Sequence, residues 1–175
     1  MTLGLKRGTV QLVHHNAKWK KLFEREKKRL LPTLRSLVID IQHIGSTAIP
    51  SIPAKPIIDM AAGVTNMKKS KKCIKPLRTL GYEWRKGVGG PHIRLFFARG
   101  PEHRRIYYLH LMKYNGELWK NALVFRNYLR NNQRAANQYA HLKKHLASRF
   151  EKDRKSYTAS KARFIHSVIN RARKK

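Results

Sequence analysis

Two periodicities divide the chain. Up to about residue 114 most apolar residues gather in short runs rich in β-branched and aromatic side chains, separated by turn formers. From Glu117 onward they recur every three or four positions among lysines and arginines. Short runs with period two suit strands, whereas a 3.6-residue recurrence suits helices that bury one face. Residues 9–13 predict a short strand. Asn16 then reads as a helix N-cap, and Trp19, Leu22, Phe23, Glu26 and Leu30 form the inner stripe of a helix ending near Pro32. Residues 37–41 predict a strand, followed by the turn Gly45-Ser46-Thr47, a stiff connector with Pro50, Pro53 and Pro56, and a second apolar strand carrying Asp59. Residues 67–80 predict a helix stopped by Gly81 and ended or kinked by Pro76.

The second part of the mixed region holds a short strand at residues 82–85 and the Gly-rich stretch 86–91, read either as a hairpin connection or as a mobile lid. Strands at residues 93–98 and 106–112 follow, joined through the turn at residues 99–102. In the second of these, Tyr108, His110 and Met112 share a face, which directs His110 toward the cleft of Asp59. Helices are predicted over residues 117–131 and 133–150, then a last one capped by Asp153 or Ser156 and frayed from residue 171. The class is α+β: a short mixed or antiparallel sheet covered by helices, with a helical C-terminal half. The expected organisation is one domain, its α/β core spanning residues 1–114 and its helical part residues 115–175.

Composition adds one strong constraint. Forty lysines and arginines against nine acids give a net charge of +31, a field that concentrates polyanions such as RNA or nucleotide phosphates. The alternative is a solubilising coat, because the cations recur through every predicted helix. A single cysteine, Cys73, excludes an internal disulfide and reads as an ordinary helix residue. No membrane-length apolar run and no signal-like N-terminus are present, so the expectation is a cytoplasmic protein with no membrane partner.

The candidate chemistry centres on His43-Ile44-Gly45-Ser46-Thr47 and Ala54-Lys55-Pro56-Ile57-Ile58-Asp59. Gly45 lets backbone approach a ligand, and the Ser46 and Thr47 hydroxyls suit a phosphate; otherwise they merely stabilise a tight turn. Lys55, held extended by Pro56, could neutralise a phosphate or lie on a loop surface. Asp59 inside an apolar run calls for a cation or metal partner, since an unpaired buried carboxylate is costly. Arg94, Arg126 and Lys161 are supporting phosphate binders.

These segments, with Trp19-Lys20-Lys21-Leu22-Phe23, Leu109-His110-Leu111 and Phe125-Arg126-Asn127-Tyr128-Leu129-Arg130, resemble the GrpB family, within the nucleotidyltransferase superfamily of DNA polymerase β type fold. The resemblance is near full length. It implies a nucleotide or phosphorylated small molecule as ligand and a metal-dependent nucleotidyl or phosphoryl transfer with Asp59 as catalytic residue. It also shows a thinned acid set. Ala61 stands where active relatives of the superfamily place a second acid, and no acid occurs between residues 106 and 114. Gln42 and Tyr108 stand where relatives often have Glu and His. One divalent ion, Mg or Mn, held by Asp59 and phosphates is the expectation that survives; a softer ion held by His43, His110 and Asp59 is a variant of it. The alternative is a non-catalytic RNA-binding or adaptor protein with a vestigial pocket.

Overall fold

The computed structural model describes residues 3–6, 8–87 and 93–174. Most of the Gly-rich stretch, residues 88–91, lies outside the described residues, and the lid reading lies there with it. The elements in order are β1 (Leu5–Lys6), α1 (Lys18–Leu34), β2 (Asp40–Ile44), a 3-10 turn (Ser46–Ala48), β3 (Ile58–Val64), a 3-10 segment (Met67–Cys73) running into α2 (Ile74–Thr79), and β4 (Tyr82–Trp84). There follow β5 (Arg94–Arg99), β6 (Arg104–Arg105), β7 (Tyr107–Lys113), α3 (Glu117–Asn131), α4 (Gln133–Arg149), α5 (Arg154–Ala159) and α6 (Ala162–Arg173).

A mixed five-stranded sheet in the order β2-β3-β7-β5-β4 carries the fold, with β3 and β7 parallel and the other neighbours antiparallel. A two-stranded ribbon pairs β1 with β6. Alternation assigns the two faces of the large sheet. Ile58, Met60 and Ala62 of β3, Leu109 and Leu111 of β7, and Leu95 and Phe97 of β5 point to one side, where Trp19, Phe23, Leu30 and Leu34 of α1 and Leu77 of α2 cover them. Asp59 and Ala61, Tyr108 and His110, and Arg94 and Phe96 point to the other, toward the C-terminal helices. Each fully buried aliphatic side chain on the first face contributes roughly 1.5–3 kcal/mol.

Several predicted boundaries move, each for a local reason. Residues 9–13 make no strand. Val13 forms one isolated bridge with Ala54, and Pro53 and Pro56 near that bridge lack the N–H groups a ladder would need. The strand expected at residues 37–41 begins at Asp40, because the Leu37 and Val38 amides donate to the Leu34 carbonyl and close the end of α1. That helix runs through Pro32 to Leu34; the proline sits in the last turns beside the exposed Lys28, whose carbonyl water can serve. The segment 67–80 is split, 3-10 up to Cys73 and α-helical after it, with Pro76 in the first turn of α2, where its missing N–H costs nothing. The last predicted helix is two, α5 capped by the Asp153 side chain and α6 continuing to Arg173.

Glu26, placed by spacing in the inner stripe of α1, is indeed buried but not unpaired. It accepts from Tyr82 Oη at 2.9 Å, Arg99 Nη1 at 2.8 Å and Arg29 Nη1 at 2.7 Å. The network ties α1 to β4 and β5, and its satisfied carboxylate is what makes burial tolerable.

Candidate functional site

Gly45 ends β2 with φ +69°, a conformation that favours glycine. A Cβ built there would lie 2.8 Å from Asp59 Oδ2, so the turn and the carboxylate touch through the absence of a side chain. The connector after the turn is held from several directions. On α3, Arg126 Nη1 donates to the His43 carbonyl at 2.7 Å and Arg130 Nε to the Ala48 carbonyl at 2.7 Å. These two guanidiniums, one helical turn apart, grip both ends of the turn. Lys143 Nζ of α4 donates to the Pro53 carbonyl, the Val13 and Ala54 amides exchange bonds at 2.9 Å, and Gly4 donates to Pro56 at 2.7 Å. Ile49 and Ile52 are buried among Phe125, Leu129, Tyr139, Val168 and Ile169.

Between this turn, the sheet face and the C-terminal helices opens a cleft of about 550 Å³. The turn residues Gly45, Ser46 and Thr47 line it together with Lys55, Asp59, Arg94, His110 and Lys161. Among the described residues, four cationic side chains reach it, Lys55, Arg94, Arg154 and Lys161, against Asp59 as the single carboxylate. Lys55 Nζ and Lys161 Nζ stand 5.1 and 4.3 Å from the centre of the Tyr157 ring, and the Arg154 guanidinium 5.2 Å from that of Tyr108. Burial depresses both lysines, Lys55 to about 7 and Lys161 to about 8, with neighbouring cations adding to the effect and Asp59 opposing it. His110 Nε2 lies 3.7 Å from Asp59 Oδ1; burial lowers its pKa and the carboxylate opposes that. Among the described residues, the buried side-chain atoms without a hydrogen-bond partner are Arg94 Nε and His110 Nδ1, and both residues line the cleft.

Two expected site residues stand elsewhere. Arg126 does not line the cleft: its Nη1 is engaged by the His43 carbonyl and, at 2.9 Å, by Gln42 Oε1, and its Nε donates to Asn127 Oδ1. Gln42, bonded also to Asp40, serves this clamp rather than a metal. His43 projects from the opposite sheet face to Asp59, paired in register with Met60. It stacks on Phe23 at 4.8 Å and shares a 3.0 Å hydrogen bond with Thr47 Oγ1, so the Thr47 hydroxyl is engaged there as well. Burial drops its pKa to about 4. The three-ligand arrangement of His43, His110 and Asp59 is therefore not formed, because strand alternation separates the first from the other two. Among the described residues no three His, Cys, Asp or Glu side chains group to hold a metal ion. Ala61, on the Asp59 face, is buried against Met112 and Trp119. The residues present do not fit a pair of divalent ions, which requires several carboxylate oxygens.

Sequence reasoning missed Arg154 and the phenols of Tyr139 and Tyr157, all three of which line the cleft with Ser46. A signal existed in the spacing of Arg154, Tyr157 and Lys161, three and four residues apart on neighbouring turns. It was obscured by the abundance of basic residues around it. Cys73 is buried at the end of the 3-10 segment, its thiol pushed up to about 11, as an inert core residue should be.

A mixed sheet whose second strand turns through Gly-Ser into a strand bearing a carboxylate is a nucleotidyltransferase-like fold. A mutant Cid1 poly(U) polymerase bound to MgATP superposes with a TM-score of 0.56 at 15% identity, over 78% of this chain and 44% of that one. At that identity the likeness concerns the fold alone. Within this class the chain belongs to the GrpB protein family, which matches residues 9–171. It is 37% identical over 171 residues to the glutamate-rich protein GrpB of Alkalihalophilus pseudofirmus, spanning 96% of this chain and 98% of that protein. The crystal structure of GrpB from Enterococcus faecalis superposes with a TM-score of 0.82 at 30% identity, covering 94% of this chain and 98% of that one. The UPF0157 protein YqkA of Bacillus subtilis is 33% identical over 165 residues, which cover 94% of this chain but 48% of YqkA. With nine acids in 175 residues, the present chain is the reverse of glutamate-rich.

Proposed function

We propose that the cleft binds a nucleotide or another small phosphorylated metabolite. The observation that carries this reading is the convergence of Lys55, Arg94, Arg154 and Lys161 on the Gly45-Ser46-Thr47 turn around one carboxylate. Half-buried cations in excess of their counter-charges are costly, and an anionic ligand removes the cost. The unpartnered Arg94 Nε and His110 Nδ1 await hydrogen bonds that such a ligand would supply. The rings of Phe96, Tyr108 and Phe125 give the same cleft apolar surface on which a flat group can rest. Asp59, beside His110, is the group that would accept a proton from an attacking hydroxyl if the bound phosphate is transferred. A thermal-shift screen of nucleoside mono-, di- and triphosphates and pyrophosphate tests the reading. A saturable rise in Tm that disappears in Lys161→Met supports it, and no response to any of them sinks it.

A second reading concerns the other side of the sheet. Exposed Lys68, Lys69, Lys71, Lys72, Lys75 and Arg78 follow one another without an acid, next to α1, whose outer face carries Lys20, Lys21 and Lys28. This surface favours a polyanion such as RNA, bound through phosphate contacts.

A further inference from the structure

The cleft combines the turn and carboxylate of a nucleotidyltransferase-like fold with a surplus of fixed cations. In the Cid1 structure noted above the nucleotide is present as MgATP. Here Ala61 occupies the position beside Asp59 on the same face, buried under Met112 and Trp119, and Tyr108 and His110 occupy the cleft-facing positions of β7. The remaining carboxylate has His110 Nε2 at 3.7 Å. Across the cleft stand Lys55 and Lys161, packed on Tyr157, and Arg154, packed on Tyr108. With all side chains ionised, four cations and one carboxylate leave a surplus of three positive charges.

We propose that this site takes its phosphorylated ligand in the metal-free form, with Lys55, Arg154 and Lys161 supplying the counter-charge that divalent ions supply to a magnesium-bound nucleotide. The inference rests on the phosphate-binding reading above and adds its chemistry. A free diphosphate carries about three negative charges and matches the surplus, whereas Mg²⁺ brought with it would meet one carboxylate and four cations and be repelled. Positively charged side chains fixed on α5, at the start of α6 and on a clamped connector are pre-organised, so no ion need be recruited before the anion binds. The depressed pKa values of Lys55 and Lys161 agree with two ammonium groups whose counter-ion is the ligand.

Asp59 separates the two modes of binding. If a metal ion mediates, Asp59 is its anchor and Asp59→Asn must weaken binding. If the anion binds bare, Asp59 repels it and Asp59→Asn must tighten binding. ADP and pyrophosphate are titrated calorimetrically into the full chain, once with EDTA and once with excess MgCl₂, for the wild type, Asp59→Asn, Lys161→Met and the control Lys72→Met on the remote basic face. The expected result is binding in EDTA at an affinity equal to or higher than that in Mg²⁺, tightened several-fold by Asp59→Asn, weakened tenfold or more by Lys161→Met and unmoved by Lys72→Met. Binding that needs Mg²⁺, or that is lost in Asp59→Asn, overturns the metal-free mode and leaves the phosphate-binding reading standing. Binding weakened as much by Lys72→Met as by Lys161→Met, or absent in both buffers, overturns both. Should Lys161→Met fail to fold, the opposite signs expected for Asp59→Asn still decide.

Discussion

Lys143 shows at one residue how the molecule balances charge against burial. Its side chain is 1% exposed, it donates to the Pro53 carbonyl and its ammonium lies 4.9 Å from the centre of the Tyr139 ring. Burial, aided by Lys161 and Lys55, depresses its pKa to about 7. The sign for stability follows from proton counting. Below about pH 7 the folded and unfolded states both carry the proton and the full cost of a buried charge is present; from there up to about 10.5 the unfolded chain binds more protons, so stability rises with pH. Lys55 and Lys161 act in the same direction, facing Arg154, Asp59 and Tyr157 as well as Lys143. The ligand-free protein is therefore expected to gain in Tm between pH 6.5 and 9.5, and Lys143→Met to flatten that rise; a Tm that falls over this interval would refute the assignment. Gly45 is the second decisive residue. Gly45→Ala combines a φ of +69° with a Cβ only 2.8 Å from Asp59 Oδ2, and a loss of about 2 kcal/mol or more in urea unfolding is expected.

At the scale of elements, the connector between β2 and β3 matters more than its lack of regular structure suggests. It is pinned by α3 through Arg130, with Arg126 holding the end of β2 just before it, by α4 through Lys143, and by the N-terminal segment through Val13 and Gly4. Ile52, fully buried in the cluster it shares with α3, α4 and α6, is the hinge of that packing. Ile52→Ala should cost about 2–5 kcal/mol, measured by denaturant unfolding, and should weaken ADP binding because the turn and Lys55 flank this stretch. Arg126→Lys keeps a charge but loses the fork that joins Gln42 to the His43 carbonyl. About 2–3 kcal/mol of stability should go with it, while the charge count of the cleft stays the same. That separation of stability from binding would confirm Arg126 as a positioning residue.

Basic side chains gather on both sides of one sheet, in the cleft at the turn and on the exposed surface of α1, α2 and the 3-10 segment before it. They should respond differently to salt. RNA held by the exposed face is expected to dissociate with a steep log–log dependence on salt, and Lys68→Glu with Lys72→Glu should weaken it while leaving ADP binding intact. The half-buried cations in the cleft are screened less, so ADP affinity should fall less steeply. RNA binding that is flat in salt, or unaffected by the double substitution, would remove the second reading. No helix among the described residues is long and apolar enough to cross a membrane.

By itself the sequence determined the types of the longer elements, the α+β class and the stretch from Gly45 to Asp59, because periodicity, proline and glycine placement and charge are local properties written residue by residue; the strand expected at residues 9–13 and the helix expected at residues 67–73 did not form as such. It also placed Asp59, His110, Arg94, Lys55 and Lys161 among the candidates, and all of them line the cleft. Tertiary structure decided the rest. Whether His43 points toward Asp59 depends on the register of β2 against β3, a single-residue shift of which reverses the face. Whether an arginine binds ligand or holds backbone depends on what packs opposite it: Arg126 found a carbonyl of β2, and Arg154 found the open cleft. In a chain with forty basic residues the sequence could name the charge, and only the fold could say which cations share a pocket with the carboxylate.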